Sequence, residues 1–138
     1  MSRCTAVQKK YRMSKPGVVA VVDDDYRVLE SLENLLESAG YVAHGFASAQ
    51  ALLASHVWGT FNLLITDIAM PEIDGFALFR RLQSERPGTP ALLITGGKRL
   101  QQEAEGLGVP VFFKPVDADR LLCSVAENLE KAARGEIE

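Results

Sequence analysis

The sequence lacks any apolar run long enough to cross a membrane. Its longest uninterrupted run, Val18 to Val22, has five residues, whereas a spanning helix needs roughly 20. Residues 1–17 include basic side chains but no apolar stretch behind them, so they do not resemble a secretory signal. We therefore expect a cytoplasmic protein that does not insert into membranes.

Cysteine is scarce as well. Cys4 and Cys123 share no short spacing with each other or with His44 and His56. Zinc sites need closely spaced ligands, and the frameworks of small secreted domains need several cysteine pairs. The sequence therefore suggests neither a zinc site nor a disulfide framework, and both thiols are expected to be reduced.

Positive charge is sparse outside the first 16 residues. That segment holds five basic residues and no acid, which leaves ten Lys and Arg against eighteen Asp and Glu in residues 17–138, a net charge of −8. A body this acidic repels phosphate backbones, so direct binding of nucleic acid is not expected. Residues 1–16 are expected to form a disordered basic extension.

The 138 residues, 47% of them apolar, match the size and composition of one globular domain. Five short β-branched or aliphatic runs alternate with longer stretches of helical periodicity. These runs cover residues 17–22, 41–46, 61–66, 91–95 and 109–113. Most are continuous, which indicates strands buried on both faces. The alternation predicts an α/β domain with a five-stranded parallel doubly wound sheet, in which ligands bind beyond the carboxyl ends of the strands.

Apolar stripes and capping residues predict the helices. Residues 28–39 carry the clearest stripe and are followed by Gly40, a residue suited to a left-handed position after a helix. Ser48 and Asp117 are expected to cap later helices. Residues 99–107 are polar and weakly patterned, so the fourth helix is expected to be short or mobile.

Polar and charged side chains follow four of the predicted strands. They are Asp23, Asp24 and Asp25 after the first strand, Asp67 after the third, Thr95 after the fourth and Lys114 after the fifth. Clustered carboxylates repel one another and need a counter-charge. Oxygen ligands favour Mg²⁺, Mn²⁺ or Ca²⁺ over zinc. The sequence therefore predicts a divalent cation site at this sheet edge, with the lysine supplying a second positive charge.

These motifs resemble the receiver domain of two-component response regulators. The resemblance covers residues 17 to about 133 and rests on the segments VVDDD, LITDIAMPEIDG, LLITGG and FFKP, each at a strand end. It implies a (βα)5 flavodoxin-like receiver fold. The expected organisation is an extension at 1–16, a receiver domain at 17–133 and a C-terminal tail at 134–138.

The resemblance also implies a role for each site residue. Asp67 would be the phosphoacceptor, Thr95 the switch hydroxyl and Lys114 the residue that pairs with the phosphoryl oxygens. Mg²⁺ would be the cofactor, and its protein ligands would be Asp23, Asp24, Asp67 and the backbone carbonyl of Ala69.

Other residues are expected to shape the site. Asp25 would cap the first helix rather than bind metal, and Pro115 stands where the family has a cis peptide. The loop after the acceptor would be formed with the help of Met70, Pro71 and Gly75.

The implied function is phosphorelay signal transduction. A histidine kinase or a phosphotransfer protein would donate a phosphoryl group to Asp67 in a Mg²⁺-dependent step. The altered face of the fourth helix, fifth strand and fifth helix would then bind a downstream protein. We expect a stand-alone receiver, monomeric or dimerising on phosphorylation, that accepts and can lose a phosphoryl group without being a turnover enzyme.

Three alternatives remain open at this stage. A phosphate sink would use the same residues and differ in the lifetime of the acyl phosphate. A constitutive interaction module would keep the fold without gating. A Mg²⁺-dependent phosphatase would need a carboxylate two residues after Asp67, where the sequence has Ala69.

One departure from the family pattern concerns the switch. Most receivers have an aromatic residue three positions before the lysine, and it rotates together with the threonine. Here that position is Val111, which favours the ungated alternative. Since only Phe113 shares the face of Val111 on a strand, we predict that output does not use the usual aromatic rotation.

Overall fold

Five strands and five helices alternate along the chain in a computed structural model that describes residues 17–70 and 72–136. The strands β1 to β5 are Val18–Val22, Val42–Phe46, Leu63–Asp67, Ala91–Thr95 and Val111–Phe113. The helices α1 to α5 are Tyr26–Ser38, Ala49–Leu53, Gly75–Glu85, Lys98–Glu105 and Ala118–Ala133, with a 3-10 turn at His56–Gly59. The predicted extension at 1–16, Pro71 and residues 137–138 lie outside the described residues.

All strand pairs of the sheet are parallel, and their order is β2-β1-β3-β4-β5. The predicted fold class, a five-stranded parallel doubly wound sheet, is therefore confirmed. Strand order reverses between β1 and β3, which are neighbours although α1, β2 and α2 separate them in sequence. In sheets of this kind the crevice beyond such a reversal is where ligands bind.

Burial follows position in the sheet. Every residue of β3 and β4 is buried, as the continuous apolar runs predicted. The edge strands differ, since Val42 and His44 of β2 are exposed and Phe113 of β5 is 40% exposed. The expectation of burial on both faces was wrong there, because an edge strand has one strand neighbour and incomplete helical cover.

The core lies on both faces of the sheet. One cluster joins the sheet to α1 and α5, and the other joins it to α2, α3 and α4. Successive strand residues alternate between them, so Leu63 and Ile65 face the first cluster while Leu64 faces the second. The central strands are therefore packed on both faces.

Side-chain caps begin four of the five helices. Asp25, Ser48, Asp74 and Asp117 each accept a hydrogen bond from a backbone amide in the first turn. The caps predicted for Asp25, Ser48 and Asp117 are thus confirmed. Helix α4 has Gly97 at its N-cap position and no side-chain cap. It spans eight residues, which confirms that the fourth helix is short.

The cysteine prediction and the membrane prediction have different outcomes. Cys123 of α5 is disulfide-bonded, so the expectation of a reduced thiol was wrong for this residue; Cys4 lies outside the described residues. Sequence spacing does not reveal which thiols a fold brings within bonding distance. Within residues 17–70 and 72–136, no helix is long and apolar enough to cross a membrane.

Gly75 allows a close backbone approach between α3 and the end of β3. An added Cβ would lie 2.7 Å from Ile68 Cα and would also collide with the carbonyl oxygen of Asp67. Gly75→Ala is therefore expected to lower the free energy of unfolding by about 1–3 kcal/mol, as overpacking typically does. Urea denaturation monitored by circular dichroism measures this change.

Gly59→Ala is the control, because no atom lies within 4 Å of an added Cβ at that position. Equal stability of the two alanine variants would contradict the close-approach argument.

Candidate functional site

The carboxyl ends of four strands bring the predicted site residues together. Val22 pairs with Thr66 in the sheet, so the next residues, Asp23 and Asp67, project from adjacent strand ends. Thr95 and Lys114 follow on β4 and after β5. The order of the strands, rather than closeness in sequence, creates this site.

Three carboxylates form a cluster at this edge. Asp23, Asp24 and Asp67 each offer an oxygen, and these oxygens lie within 4.8 Å of one another. Asp23 is fully buried and Asp67 is 3% exposed, whereas Asp24 is exposed. The cluster is therefore anchored in the core and open to solvent on one side.

The two carboxylate oxygens of Asp23 have different surroundings. Its Oδ1 accepts a hydrogen bond of 2.8 Å from the backbone amide of Asp25, which holds the side chain in place. Its Oδ2 is buried and lies 3.0 Å from Lys114 Nζ, but the contact does not meet hydrogen-bond geometry. This buried oxygen is therefore paired with the Lys114 ammonium as an ion pair.

Lys114 bridges the two buried carboxylates. Its Nζ lies 3.0 Å from Asp23 Oδ2 and 3.2 Å from Asp67 Oδ2. Partial burial alone would lower the pKa of Lys114, but Asp23 and Asp67 outweigh it and the pKa is raised. The backbone amide of Lys114 donates to the carbonyl of Thr95. The Lys114–Pro115 bond is cis. The two ion pairs place the ammonium between the carboxylates of Asp23 and Asp67.

Negative charge is nevertheless in excess at Asp67. Burial is the main cause that raises its pKa, and the nearby Asp23 raises it further. Lys114 and the backbone amide of Ala69 lower it, but not enough to reverse the shift. Three carboxylates facing one ammonium, all with oxygen donors, fit a hard divalent cation such as Mg²⁺.

Thr95 ends β4 beside this cluster and is fully buried. Its Oγ1 donates to the carbonyl oxygen of Gly97 at 3.2 Å and accepts from the amide of Gly97 at 3.1 Å. Both hydrogen bonds belong to the loop that leads into α4. The predicted switch hydroxyl is thus engaged with that loop in this structure.

The loop between β3 and α3 follows Asp67 directly, and the structure describes it except at residue 71. Ala69 is exposed, and Met70 packs on the core cluster of α2, α3 and α4. One contact in this loop was not predicted from the sequence: Glu72 has a φ of 66° and accepts a hydrogen bond from Gln50 of α2. A left-handed position usually holds Gly or Asn, so a glutamate there carried no signal.

Comparison with known proteins identifies the arrangement. A family model described as the response regulator receiver domain matches residues 19–126. The chain belongs to this family. Receiver domains act in two-component phosphorelay signal transduction, so that function and the resemblance drawn from the motifs are confirmed, and an ungated interaction module is not favoured.

Curated relatives of this receiver domain are longer proteins. It is 35% identical over 123 residues to the transcriptional regulatory protein FixJ of Bradyrhizobium diazoefficiens, which covers 87% of this chain and 60% of that protein. It is also 35% identical to the C4-dicarboxylate transport transcriptional regulatory protein DctD of Rhizobium meliloti, over 86% of this chain and 26% of that protein. The receiver domain thus spans only part of each relative.

Solved structures show the same fold. A CheY-like response regulator receiver domain protein from Methanospirillum hungatei aligns with a TM-score of 0.79 and 30% identity, covering 88% of this receiver and 99% of that chain. Full-length FixJ from B. japonicum aligns with a TM-score of 0.77 and 31% identity, over 88% and 62% of the two chains. Receiver domains bind Mg²⁺ through acidic residues, and the carboxylate cluster provides such residues here.

Because negative charge is in excess at the site, removing the charge of Asp67 should stabilise the folded domain in the absence of a cation. In EDTA Asp67→Asn is expected to have a higher free energy of unfolding than the wild type, because it removes one of two adjacent carboxylates and leaves Lys114 paired with Asp23. Asp24→Asn is expected to change stability less, since Asp24 is exposed. Chemical denaturation in EDTA measures both changes.

In Mg²⁺ the wild type is expected to have the higher free energy of unfolding, and Asp67→Asn the lower. A cation that binds the folded protein alone stabilises it by about 2.7 kcal/mol at one hundred times its Kd, and Asp67→Asn should gain less at the same concentration. A variant that is less stable than the wild type in EDTA, or that gains equally from Mg²⁺, would contradict the charge argument.

Proposed function

We propose that Asp67 is the phosphoacceptor of a phosphorelay and that its modification switches a protein-binding surface. The observation that carries this proposal is the buried Asp67 carboxylate, held between Asp23 and the Lys114 ammonium at an edge where Asp24 is open to solvent. A nucleophile that is buried yet approachable from one side suits transfer from a partner protein.

The transfer step is a displacement at phosphorus. An oxygen of Asp67 forms a bond to phosphorus while the bond between phosphorus and the imidazole nitrogen of the donor histidine breaks, which yields an acyl phosphate. Positioning and charge neutralisation do most of the work in such reactions. Lys114, 3.2 Å from Asp67 Oδ2, would pair with the phosphoryl oxygens.

The cofactor of this step would be Mg²⁺. Its protein ligands would be Asp23, Asp24, Asp67 and the backbone carbonyl of Ala69, and when bound it would neutralise charge on the phosphoryl group. The carboxylate oxygens of Asp23, Asp24 and Asp67, which lie within 4.8 Å of one another, support this assignment. The domain would act as an acceptor that can lose its phosphoryl group by hydrolysis, rather than as a turnover enzyme.

Thr95 would connect modification to output. It follows Ile94, which pairs with Asp67 across β3 and β4, so Thr95 continues β4 beside the end of the acceptor strand. Attraction of this hydroxyl and of Lys114 to the phosphoryl group would shift the loops after β3 and β4. The face of α4, β5 and α5, where Phe113 is 40% exposed, would present the changed surface.

The partners follow from this scheme. The donor would be a histidine kinase or a phosphotransfer protein, and the target would be a protein rather than nucleic acid, because residues 17–138 carry a net charge of −8. We assign the receiver unit to residues 17–133, monomeric or dimerising on phosphorylation.

Incubation with phosphoramidate tests the acceptor. Intact-mass measurement is expected to show one added phosphoryl group on the wild type in Mg²⁺, little in EDTA and none on Asp67→Asn. Asp74→Asn is the matched control, because Asp74 caps α3 outside the cluster and asparagine keeps the cap. The decay of the adduct distinguishes a switch from a phosphate sink.

Two outcomes would overturn the assignment to Asp67. One is an adduct of equal amount on Asp67→Asn, and the other is no adduct on the wild type under conditions in which Mg²⁺ binding is demonstrated separately.

A second prediction concerns the position of Val111 when the domain is activated. Val111 packs in the core cluster of α2, α3 and α4, so we expect its rotamer and the β5 backbone to stay in place on activation. Crystal structures with and without Mg²⁺ and beryllofluoride, an analogue of the phosphoryl group, measure this. A large inward swing of another aromatic ring, such as that of Phe113, would contradict it.

A further inference from the structure

Glu72 has a backbone conformation that is unusual for its residue type. Its φ is 66°, and among the residues that the structure describes it is the only one other than glycine with a positive φ. In this region a Cβ lies too close to the following carbonyl oxygen, a cost that glycine avoids. Strained residues persist where other contacts hold them, and they cluster at functional sites. The strain at Glu72 therefore indicates that a contact of its side chain holds the loop after β3 in place.

Gln50 of α2 makes this contact. Its Nε2 donates a hydrogen bond to Oε2 of Glu72, which lies 22 residues further along the chain. Helix α2 is itself anchored, because Ser48 caps its first turn and Leu52 is fully buried. Hydrogen bonds to a charged acceptor are stronger than those between neutral groups. The pair therefore ties the loop between β3 and α3 to a fixed point outside the loop.

Ala69 is the residue of this loop with the weakest hold of its own. The amide of Gly75 donates to the carbonyl of Ile68 at 2.9 Å, which closes the loop at its base. Met70 and Ile73 pack against the core cluster of α2, α3 and α4. Ala69 is exposed, and its methyl side chain cannot form a hydrogen bond. The direction of its carbonyl therefore depends on the anchors on either side of it.

We propose that Gln50 and Glu72 are positioning residues for the cation site, and that their hydrogen bond sets the direction of the Ala69 carbonyl. This inference rests on the proposed function, in which that carbonyl is a protein ligand of Mg²⁺. Both side chains act through the loop backbone and do not touch the cation. Groups that orient a metal ligand in this way commonly change metal affinity when they are removed.

The two cations are expected to differ in how strongly they depend on this hydrogen bond. Mg²⁺ demands near-ideal octahedral geometry, whereas Ca²⁺ accepts flexible coordination by more oxygens. A carbonyl that is free to turn therefore costs Mg²⁺ more binding than it costs Ca²⁺. Loss of the contact between Gln50 and Glu72 is expected to lower the preference of the site for Mg²⁺ over Ca²⁺.

Exchanging the two side chains separates the hydrogen bond from the charge. Gln50→Glu places two carboxylates side by side and removes the donor. It also adds a negative charge, which by itself would raise the affinity for a cation, so positioning and charge predict opposite signs. The double variant Gln50→Glu/Glu72→Gln restores one amide donor and one carboxylate acceptor at the wild-type net charge. Gln83→Glu is the control, because it makes the same change on the exposed surface near the C-terminal end of α3.

The first arm of the test is isothermal titration calorimetry at pH 8 with Mg²⁺ alone and with Ca²⁺ alone. Gln50→Glu is expected to raise the Kd for Mg²⁺ about threefold to tenfold, the range of one net hydrogen bond, and the Kd for Ca²⁺ less. The double variant should return to within about twofold of the wild type, and Gln83→Glu should stay there. An unchanged or lower Kd for Mg²⁺ in Gln50→Glu, or no recovery in the double variant, would overturn the proposal.

Glu72→Gly separates positioning from stability. Glycine relieves the strain at this backbone position, so the free energy of unfolding in EDTA, measured with urea, is expected to be at least that of the wild type. The Kd for Mg²⁺ is nevertheless expected to rise, because the side chain that holds the loop is gone. A variant that loses stability while it keeps its affinity for Mg²⁺ would show a purely structural role and overturn the proposal.

The second arm needs no cation. The backbone amide of Ala69 donates to Asp67, so its NMR resonance in EDTA reports the position of the loop. This resonance is expected to shift in Gln50→Glu and to return in the double variant, and an unshifted resonance in Gln50→Glu would overturn the proposal. A wild type that binds no Mg²⁺ would overturn the proposed cation site and this role together. Normal Mg²⁺ binding that Gln50→Glu leaves unaffected would overturn this role alone.

Discussion

Two buried carboxylates that share one ammonium are the interaction on which this site depends. Asp23 and Asp67 are both removed from water, and each lies within 3.2 Å of Lys114 Nζ. Buried charges are tolerated only when they are paired, so the strand ends that carry these residues must stay in register. The remaining negative charge makes the same place suited to a divalent cation and to phosphoryl transfer.

The elements around this charge cluster differ in how completely they are buried and capped. Helices on both faces bury β3 and β4 completely, and Gly75 lets α3 approach the backbone of Asp67. Helix α4, by contrast, spans eight residues and has no side-chain cap, and β5 beside β4 is an edge strand.

Much of this could be predicted from the sequence because the signals are local. Runs of aliphatic residues marked all five strands, and Asp25, Ser48 and Asp117 marked helix starts through capping that involves neighbouring residues. Predictions failed where the determinant is not local. Exposure of the edge strands depends on sheet order, and the disulfide state of Cys123 depends on what the fold brings near it.

The sequence by itself determined which chemical groups stand at the strand ends, since residue identity and strand periodicity need no knowledge of neighbours. Tertiary structure alone decided that Lys114 bridges Asp23 and Asp67, the latter 47 residues away. Strand order, register and loop path set these contacts, and they arise from packing of the whole chain rather than from any local pattern.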